Sequence, residues 1–556
     1  MGRRRVHITV LASAVALLAA ACGGTSSSSS GGDTTAPVRN ATTANAISVP
    51  TYSVVSSGLT PTQIAAVNKA LDPYMPTGVD VTVDPIGRLG YADTAALLVG
   101  TKQVTGAATT GQKTDDERAD GTAGIAWDPS AVNALQPMST TAITTLVTNA
   151  AATLKQGDNG ALVKPSPVTL EMYSPSSKSI TLNKQIATAA ARTSKLGGYP
   201  LVGPGNSFDL LVGGTGKLAF VNIQQRSYAV GANVQVPTGA DAVNRCKSVL
   251  EGTKTGSTSG YTLTASLVYF SPALSEKIST IEPALKCDGT AGDGSTLRTM
   301  YITARIDIVA SILSGGIALT PRVVADLDSL GLELGTSYRA SNARSALRNT
   351  APSTQDFENA MTTWGMDLRV DYNDATPDTA FASSTDSAAG GADTVDMFWY
   401  TGHANGNGWQ TDGGQTNTAD LRLGNSDLEW LVVAACGPFQ DSTGAGSWQS
   451  RLTPMFQGLH LLMAYATTSS DTAGEGASFA TYSTTGGFPP LVLERPSLVA
   501  AWIYTAMDNQ DAGVRWGIGG VQSSTFSSLG DCFLCAEGDI RPSDTGFTMW
   551  RLVGQS

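Results

Sequence analysis

Two short runs constrain the fold most: Thr394–Tyr400 (TVDMFWY) and Leu428–Ala434 (LEWLVVA). A strand with one wet face alternates apolar and polar residues. A run that is apolar at successive positions is covered on both faces, as in mostly parallel sheets flanked by helices. A third apolar block, Phe456–Tyr465, reads as helix or strand. Phe357–Trp364 reads as a helix, Asp367–Tyr372 as a strand, and Ser497–Asp508 (SLVAAWIYTAMD) as a strong helix entered after Pro496. Residues 334–556 therefore predict an α/β domain with a mostly parallel sheet.

Residues 51–330 have another rhythm. Thr60-Pro61-Thr62-Gln63 opens an amphipathic helix carrying Ile64, Val67 and Leu71, with proline in its first turn. Ser179–Leu196 and Ala240–Leu250 also read as helices. Ser207–Val212 and Lys217–Ile223 flank Gly213-Gly214-Thr215-Gly216, a hairpin with a glycine turn. Thr262–Phe270 alternates, with Leu263, Ala265, Leu267 and Tyr269 on one face. The expectation is an α+β region, helices packed on antiparallel strands.

Residues 1–22 (MGRRRVHITVLASAVALLAAAC) join a basic start to an apolar stretch shorter than the ~20 residues a helix needs to span a bilayer. Their end, Leu18-Ala19-Ala20-Ala21-Cys22, resembles the lipobox of bacterial lipoproteins. That resemblance implies a cleaved signal peptide and a diacylglycerol on the Cys22 thiol; ordinary secretion with cleavage near Ala21 is the alternative. Residues 23–50, starting GGTSSSSSGGDTT, have little to bury and predict a flexible tether of about 30 Å root-mean-square span. The chain is thus expected to be exported and lipid-anchored to the outer face of the bacterial cytoplasmic membrane or cell surface.

The charge balance removes one class of partner. Asp and Glu number 46 against 35 Lys and Arg, a net charge of -11. Arg3, Arg4 and Arg5 lie in the leader, so the remainder carries 32 basic against 46 acidic residues, or -14. Neither a nucleic-acid groove nor a broad anionic-membrane patch fits that balance.

Six cysteines and three histidines concentrate the chemistry. With Cys22 assigned to lipid, Cys246, Cys287, Cys436, Cys532 and Cys535 remain. Outside the membrane, neighbouring cysteines tend to pair. A Cys246–Cys287 bridge would close a loop worth about 4 kcal/mol in the chain-entropy model. Cys532-Phe533-Leu534-Cys535 reads as a local disulfide; one CxxC without a second pair or nearby histidines is weak support for zinc or redox chemistry. No metal or cofactor is implied. Cys436 is the odd thiol. His403 follows DMFWYTG and Cys436 follows LEWLVVAA. In α/β sheets, functional groups sit beyond the carboxyl ends of strands. Adjacent parallel strands would bring imidazole and thiol together, and a histidine in reach makes the nucleophilic thiolate. A buried small hydrophobe and a turn histidine are the plainer readings of the two residues. His460, in GLHLLMAY, reads as a core histidine.

FWYTGHA followed by WLVVAACG resembles the two signatures of the caspase-like (clan CD) cysteine peptidases. The resemblance implies His403 as general base, Cys436 as nucleophile, and the backbone N–H groups of Ala404 and Cys436 as oxyanion donors. Ala404 stands where that family usually has glycine. Asp471 and Glu475, in SSDTAGEGASF, fall where the resemblance implies a substrate pocket, one that would favour a basic side chain; a solvated loop is the alternative. Trp409, Trp430 and Trp448 would line a groove or, more commonly, anchor packing. The stretches FENAMTTWGMDLRVDYND, VDMFWYTGHANGNGW, LEWLVVAACGPF and MFQGLHLLMAY resemble an exported bacterial domain-of-unknown-function family, number 6345. That similarity implies no activity. GPGNSFDLLVGGTGKLAFVNIQQRSY, ADAVNRCKSVL and LTASLVYFSPA loosely resemble PepSY or propeptide modules. The expectation is a surface-tethered cysteine hydrolase, most simply a peptidase with a peptide or protein substrate. The alternative is a non-catalytic binding or structural lipoprotein on the same scaffold.

Overall fold

Side chains alternate between two covered faces along the strand Met397–Thr401 of the computed structural model. Met397 and Trp399 join one core, Phe398 and Tyr400 another, and all four are buried. The described residues are 45–104, 124–152, 154, 162–252, 260–291, 296–308, 313, 332–340, 347–382, 384–388, 390–485, 497–524, 526–532 and 547–556. The leader with Cys22, the tether to residue 44, and Cys535 lie outside them.

The strands that position the site are β1 (Leu89–Ala92), β2 (Leu162–Ser174), β3 (Ser179–Leu196), β4 (Phe208–Gly213) and β5 (Leu218–Ile223), then β6 (Glu333–Tyr338), β7 (Asp367–Asp371), β8 (Met397–Thr401), β9 (Trp430–Ala434), β10 (Leu461–Tyr465), β11 (Arg515–Gln522) and β12 (Thr548–Gln555). They lie side by side as β1-β5-β4-β3-β2-β12-β11-β10-β9-β8-β6-β7. The order crosses from residues 51–330 into 334–556 at the β2–β12 pair, where Leu170 faces Leu552.

The expectation of a mostly parallel sheet is corrected. Within residues 334–556, the strands β7-β6-β8-β9-β10 pair parallel. After β10 the chain runs through the helices Glu475–Thr485 and Leu498–Asn509 and returns as the antiparallel pair β11–β12. The sheet as a whole is mixed and largely antiparallel. The two apolar runs do pair parallel; the antiparallel pairs come from strands on the far side of β10, whose direction burial on both faces leaves open.

Ser179–Leu196 is also corrected, from helix to an 18-residue strand. Alanines favour a helix in isolation, but β3 is paired along both edges, to β2 and to β4. Its buried Ile186, Ala187 and Ala189 pack in the core shared with β2. Tertiary pairing overrode local propensity.

The other elements follow their local signals. The helix α1 (Pro61–Leu71) begins at Thr60, whose hydroxyl accepts the Gln63 N–H while the Gln63 side chain accepts the Thr60 N–H. It packs with α2 (Thr140–Ala151) over β4 and β5 through Val67, Leu71, Ile143, Val147, Leu210 and Val221. The helix Gly239–Gly252 and strand Tyr261–Phe270 fall where the sequence indicates. Cys246 and Cys287 are bridged, joining that helix to the strand Pro283–Ala291. Cys532 is disulfide-bonded too. The helices α3 (Thr350–Thr363), α4 (Glu475–Thr485) and α5 (Leu498–Asn509) cover one face of the parallel run, with Phe357 stacked on Trp399 at 4.6 Å. Phe381, Trp409 of the strand Gly408–Thr411, Trp448 and Leu452 of the short helix Trp448–Leu452, and Phe456 cover the other.

One carboxylate in this frame predicts a pH dependence. Asp396, just before β8, accepts the Glu333 N–H, yet burial pushes its pKa up to about 7. The folded chain therefore holds this proton more tightly than the unfolded chain. The stabilisation is present below the unfolded value near 4 and is lost as pH rises toward about 7. Asp396→Asn is expected to flatten the fall in melting temperature between pH 4 and 7. An unchanged pH profile would assign that titration elsewhere.

Candidate active site

Thr401 and Ala434 end β8 and β9 and lie opposite one another in the parallel ladder. The Thr401 hydroxyl donates to the Ala434 carbonyl at 3.2 Å. His403 and Cys436 each follow two residues later, so the strand register delivers imidazole and thiol to the same end of the sheet on neighbouring strands. The two following turns touch. Gly437 has φ +84°, and a Cβ there would lie 3.1 Å from Asn405 and from the Gly406 nitrogen. Only glycine meets both the left-handed conformation and this close approach.

His403 is fixed through its backbone. Its carbonyl accepts the Gln410 N–H at 2.9 Å and the Tyr400 hydroxyl at 3.2 Å. The first bond belongs to a hairpin pairing Ala404 with Trp409. In that arrangement the Ala404 amide points out of the hairpin. Among the described residues, positive φ outside glycine occurs at Lys178 and Asn373, so Ala404 carries its methyl group without strain.

Cys436 keeps a buried thiol. Its sulfur accepts the Ser469 N–H at 3.3 Å and lies 3.7 Å from the Ser469 hydroxyl. The thiol in turn lies 3.9 Å from the Ser469 carbonyl, to which it can donate. Ser469 comes from the turn after β10, so three neighbouring parallel strands contribute to the site. The turn after Cys436 is held by two buried arginines. Arg451 donates to the carbonyls of Pro438 at 3.2 Å, Gln440 and Gly446. Arg551 donates to the Phe439 carbonyl and Asp441, pairs with Glu171 of β2, and lies over the Trp448 ring.

Asp471 and Glu475 are buried and already engaged, rather than solvated. Asp471 accepts the backbone N–H groups of Arg348 and Asn349 at 3.0 and 3.1 Å, ahead of α3. Glu475 accepts the Tyr465 hydroxyl and the Gln510 amide. Trp409, Trp430 and Trp448 are buried packing residues. His460 sits at the opposite, amino end of the parallel strands. It bonds Asp531 at 3.0 Å, and Asp531 also accepts the Trp430 indole N–H at 2.8 Å. Among the described residues, no group of three or more His, Cys, Asp or Glu is placed to hold a metal ion. No helix among them is long and apolar enough to cross a membrane.

Ser469, Arg451 and Gly437 are the site residues that sequence reasoning passed over. Gly437 had a local signal, standing directly after the cysteine. The other two depend on contacts between separate loops.

Residues 336–554 match the family described as Domain of unknown function (DUF6345). That stretch begins inside β6 and ends inside β12, and it contains His403, Cys436 and Ser469. No curated protein matches the chain. A solved structure, an uncharacterized protein from Eubacterium rectale, is similar over 46% of this chain and 84% of its own, at 12% identity and a TM-score of 0.25.

Proposed function

We propose that the chain is a surface-tethered cysteine hydrolase acting on peptide bonds, with a caspase-like catalytic domain in residues 334–556. The supporting observation is the Thr401–Ala434 register, by which adjacent parallel strands end opposite one another two residues before His403 and two before Cys436. His403 takes the Cys436 proton as the sulfur attacks the scissile carbonyl carbon. The amides of Ala404 and Cys436 receive the developing oxyanion. As the C–N bond breaks, the imidazolium returns its proton to the leaving amine. Water, deprotonated by His403, then cleaves the thioester and restores the thiol. Lipid on Cys22 and the tether over residues 23–50 would hold this domain outside the cytoplasmic membrane, with the PepSY-like region as its companion.

The burial of both side chains, Cys436 at 1% and His403 at 5% exposure, favours a second reading: a binding or structural lipoprotein in which the pair is only packed. Iodoacetamide alkylation of Cys436, followed by peptide mapping from pH 5 to 8, separates the two. A His403-activated thiol is expected to keep reacting at pH 6, with His403→Ala slowing it at least tenfold there. If both chains follow the same profile, set by an ordinary thiol near pH 8.5, the catalytic reading falls.

A further inference from the structure

The segment Ser469–Asp471, whose first residue contacts the Cys436 sulfur, has two edges, and they are occupied differently. On the inner edge, the Ser470 amide donates to the Gln510 side chain at 2.7 Å, and the Ser470 carbonyl accepts from it at 3.3 Å. The other edge presents the Ser469 carbonyl and the Asp471 N–H, spaced as one extended strand would use them. Both are taken by one residue of the N-terminal region. Thr299 donates its N–H to the Ser469 carbonyl at 3.1 Å and accepts the Asp471 N–H at 3.3 Å. Thr299 lies in the strand Thr296–Thr303, paired antiparallel with Pro283–Ala291. It falls at a register shift, between the Cys287–Met300 and Gly289–Leu297 pairs. A bulge of this kind turns an amide and a carbonyl away from the strand's own partner. The same strand is fastened once more, by the Tyr301 hydroxyl on Asp511, which also accepts the Ser470 hydroxyl at 3.4 Å.

We infer that Ser469–Asp471 is the edge on which an extended polypeptide binds, and that Thr296–Thr303 is an intramolecular blocking strand seated on it. Recognition by one backbone acceptor and one backbone donor defines the ligand class as unfolded or looped polypeptide. The occupied edge touches the residue that contacts the thiol, so the resting chain is closed until the strand is displaced. The catalytic consequence rests on the reading of Cys436 as nucleophile; the closure itself does not.

Thr299→Pro removes the N–H that reaches Ser469 and leaves the bonds of the hairpin's own ladder in place. Iodoacetamide alkylation of Cys436 in the full chain is expected to rise at least tenfold in Thr299→Pro, and a few-fold in Tyr301→Phe. An added peptide TLRTMYIT, the strand's own sequence, is expected to slow it again. Equal alkylation rates in the folded variants and the unmodified chain, with no effect of the peptide, would overturn the proposal. Should Thr299→Pro prove unfolded by its melting curve, Tyr301→Phe and the peptide decide alone. Faster alkylation without peptide hydrolysis would retain the blocking strand and discard the hydrolase.

Discussion

Cys436→Ala is expected to abolish peptide hydrolysis, by about 10³-fold or more, in the Thr299→Pro chain, whose blocking strand is released. The size follows from chemistry: without sulfur no thioester forms, and only positioning and the oxyanion donors remain. The fold should survive. Cys436 is a small buried side chain whose loss leaves the Ser469 N–H without its acceptor, a penalty of about 1 kcal/mol. The check is initial hydrolysis rates on a fluorogenic peptide panel beside a melting curve. His403→Ala should fall by a comparable factor and lose the reactivity at pH 6. The panel carries a second readout. Asp471 and Glu475 already accept bonds from Arg348, Asn349, Tyr465 and Gln510. Their involvement as a substrate pocket would appear as preference for Arg or Lys before the scissile bond, and equal rates for neutral residues would remove it. Hydrolysis that persists in Cys436→Ala would place the chemistry elsewhere and return the thiol to packing.

What was legible in the chain was local, and what was not depended on distant partners. Two apolar runs ending in Thr-Gly-His and Ala-Ala-Cys announce two buried strands, and the ladder Met397–Thr401 on Trp430–Ala434 follows from them. The capped start at Thr60 and the Gly-rich hairpin around residues 213–216 were equally local. Strand direction was not, because hydrophobic patterning records burial and not polarity. The antiparallel return of β11 and β12 is fixed by helices laid across the sheet before it. β3 was misread because its alanines carry helix propensity, while its strand state is decided by β2 and β4 on either side. In the candidate site, the two strand ends that carry His403 and Cys436 could be named from two motifs. Ser469 could not, since nothing in TTSSD marks which serine meets the sulfur. Thr299 lay further off still, 170 residues from Ser469 in sequence, aimed by a bulge no pattern announces.

Arg88→Ala is expected to destabilise the fold by about 3–5 kcal/mol, because it strips a buried cation from two buried carboxylates. Arg88 pairs with Asp84 at 2.9 Å, with Asp508 of α5, and with the Tyr482 hydroxyl of α4 at 3.2 Å. Burial opposes its charge, but Asp508, Tyr482 and Asp84 together hold the guanidinium above its ordinary value. Asp508 stays raised by burial even with this partner, and Asp209 is raised by burial and then by Asp508. Without Arg88 the carboxylates gain more from protonation in the fold than in the unfolded chain. The deficit should therefore be largest at pH 8 and shrink toward pH 5. Melting curves at both pH values, beside Arg88→Ala combined with Asp84→Asn and Asp508→Asn, test this. The combined variant should recover much of the loss at pH 8, since the unpaired charges are gone. Asp84 and Arg88 belong to the N-terminal region, and Tyr482 and Asp508 to the helices behind β8 to β10. A loss below about 1 kcal/mol would mean that apolar packing and the β2–β12 pair join the two regions unaided.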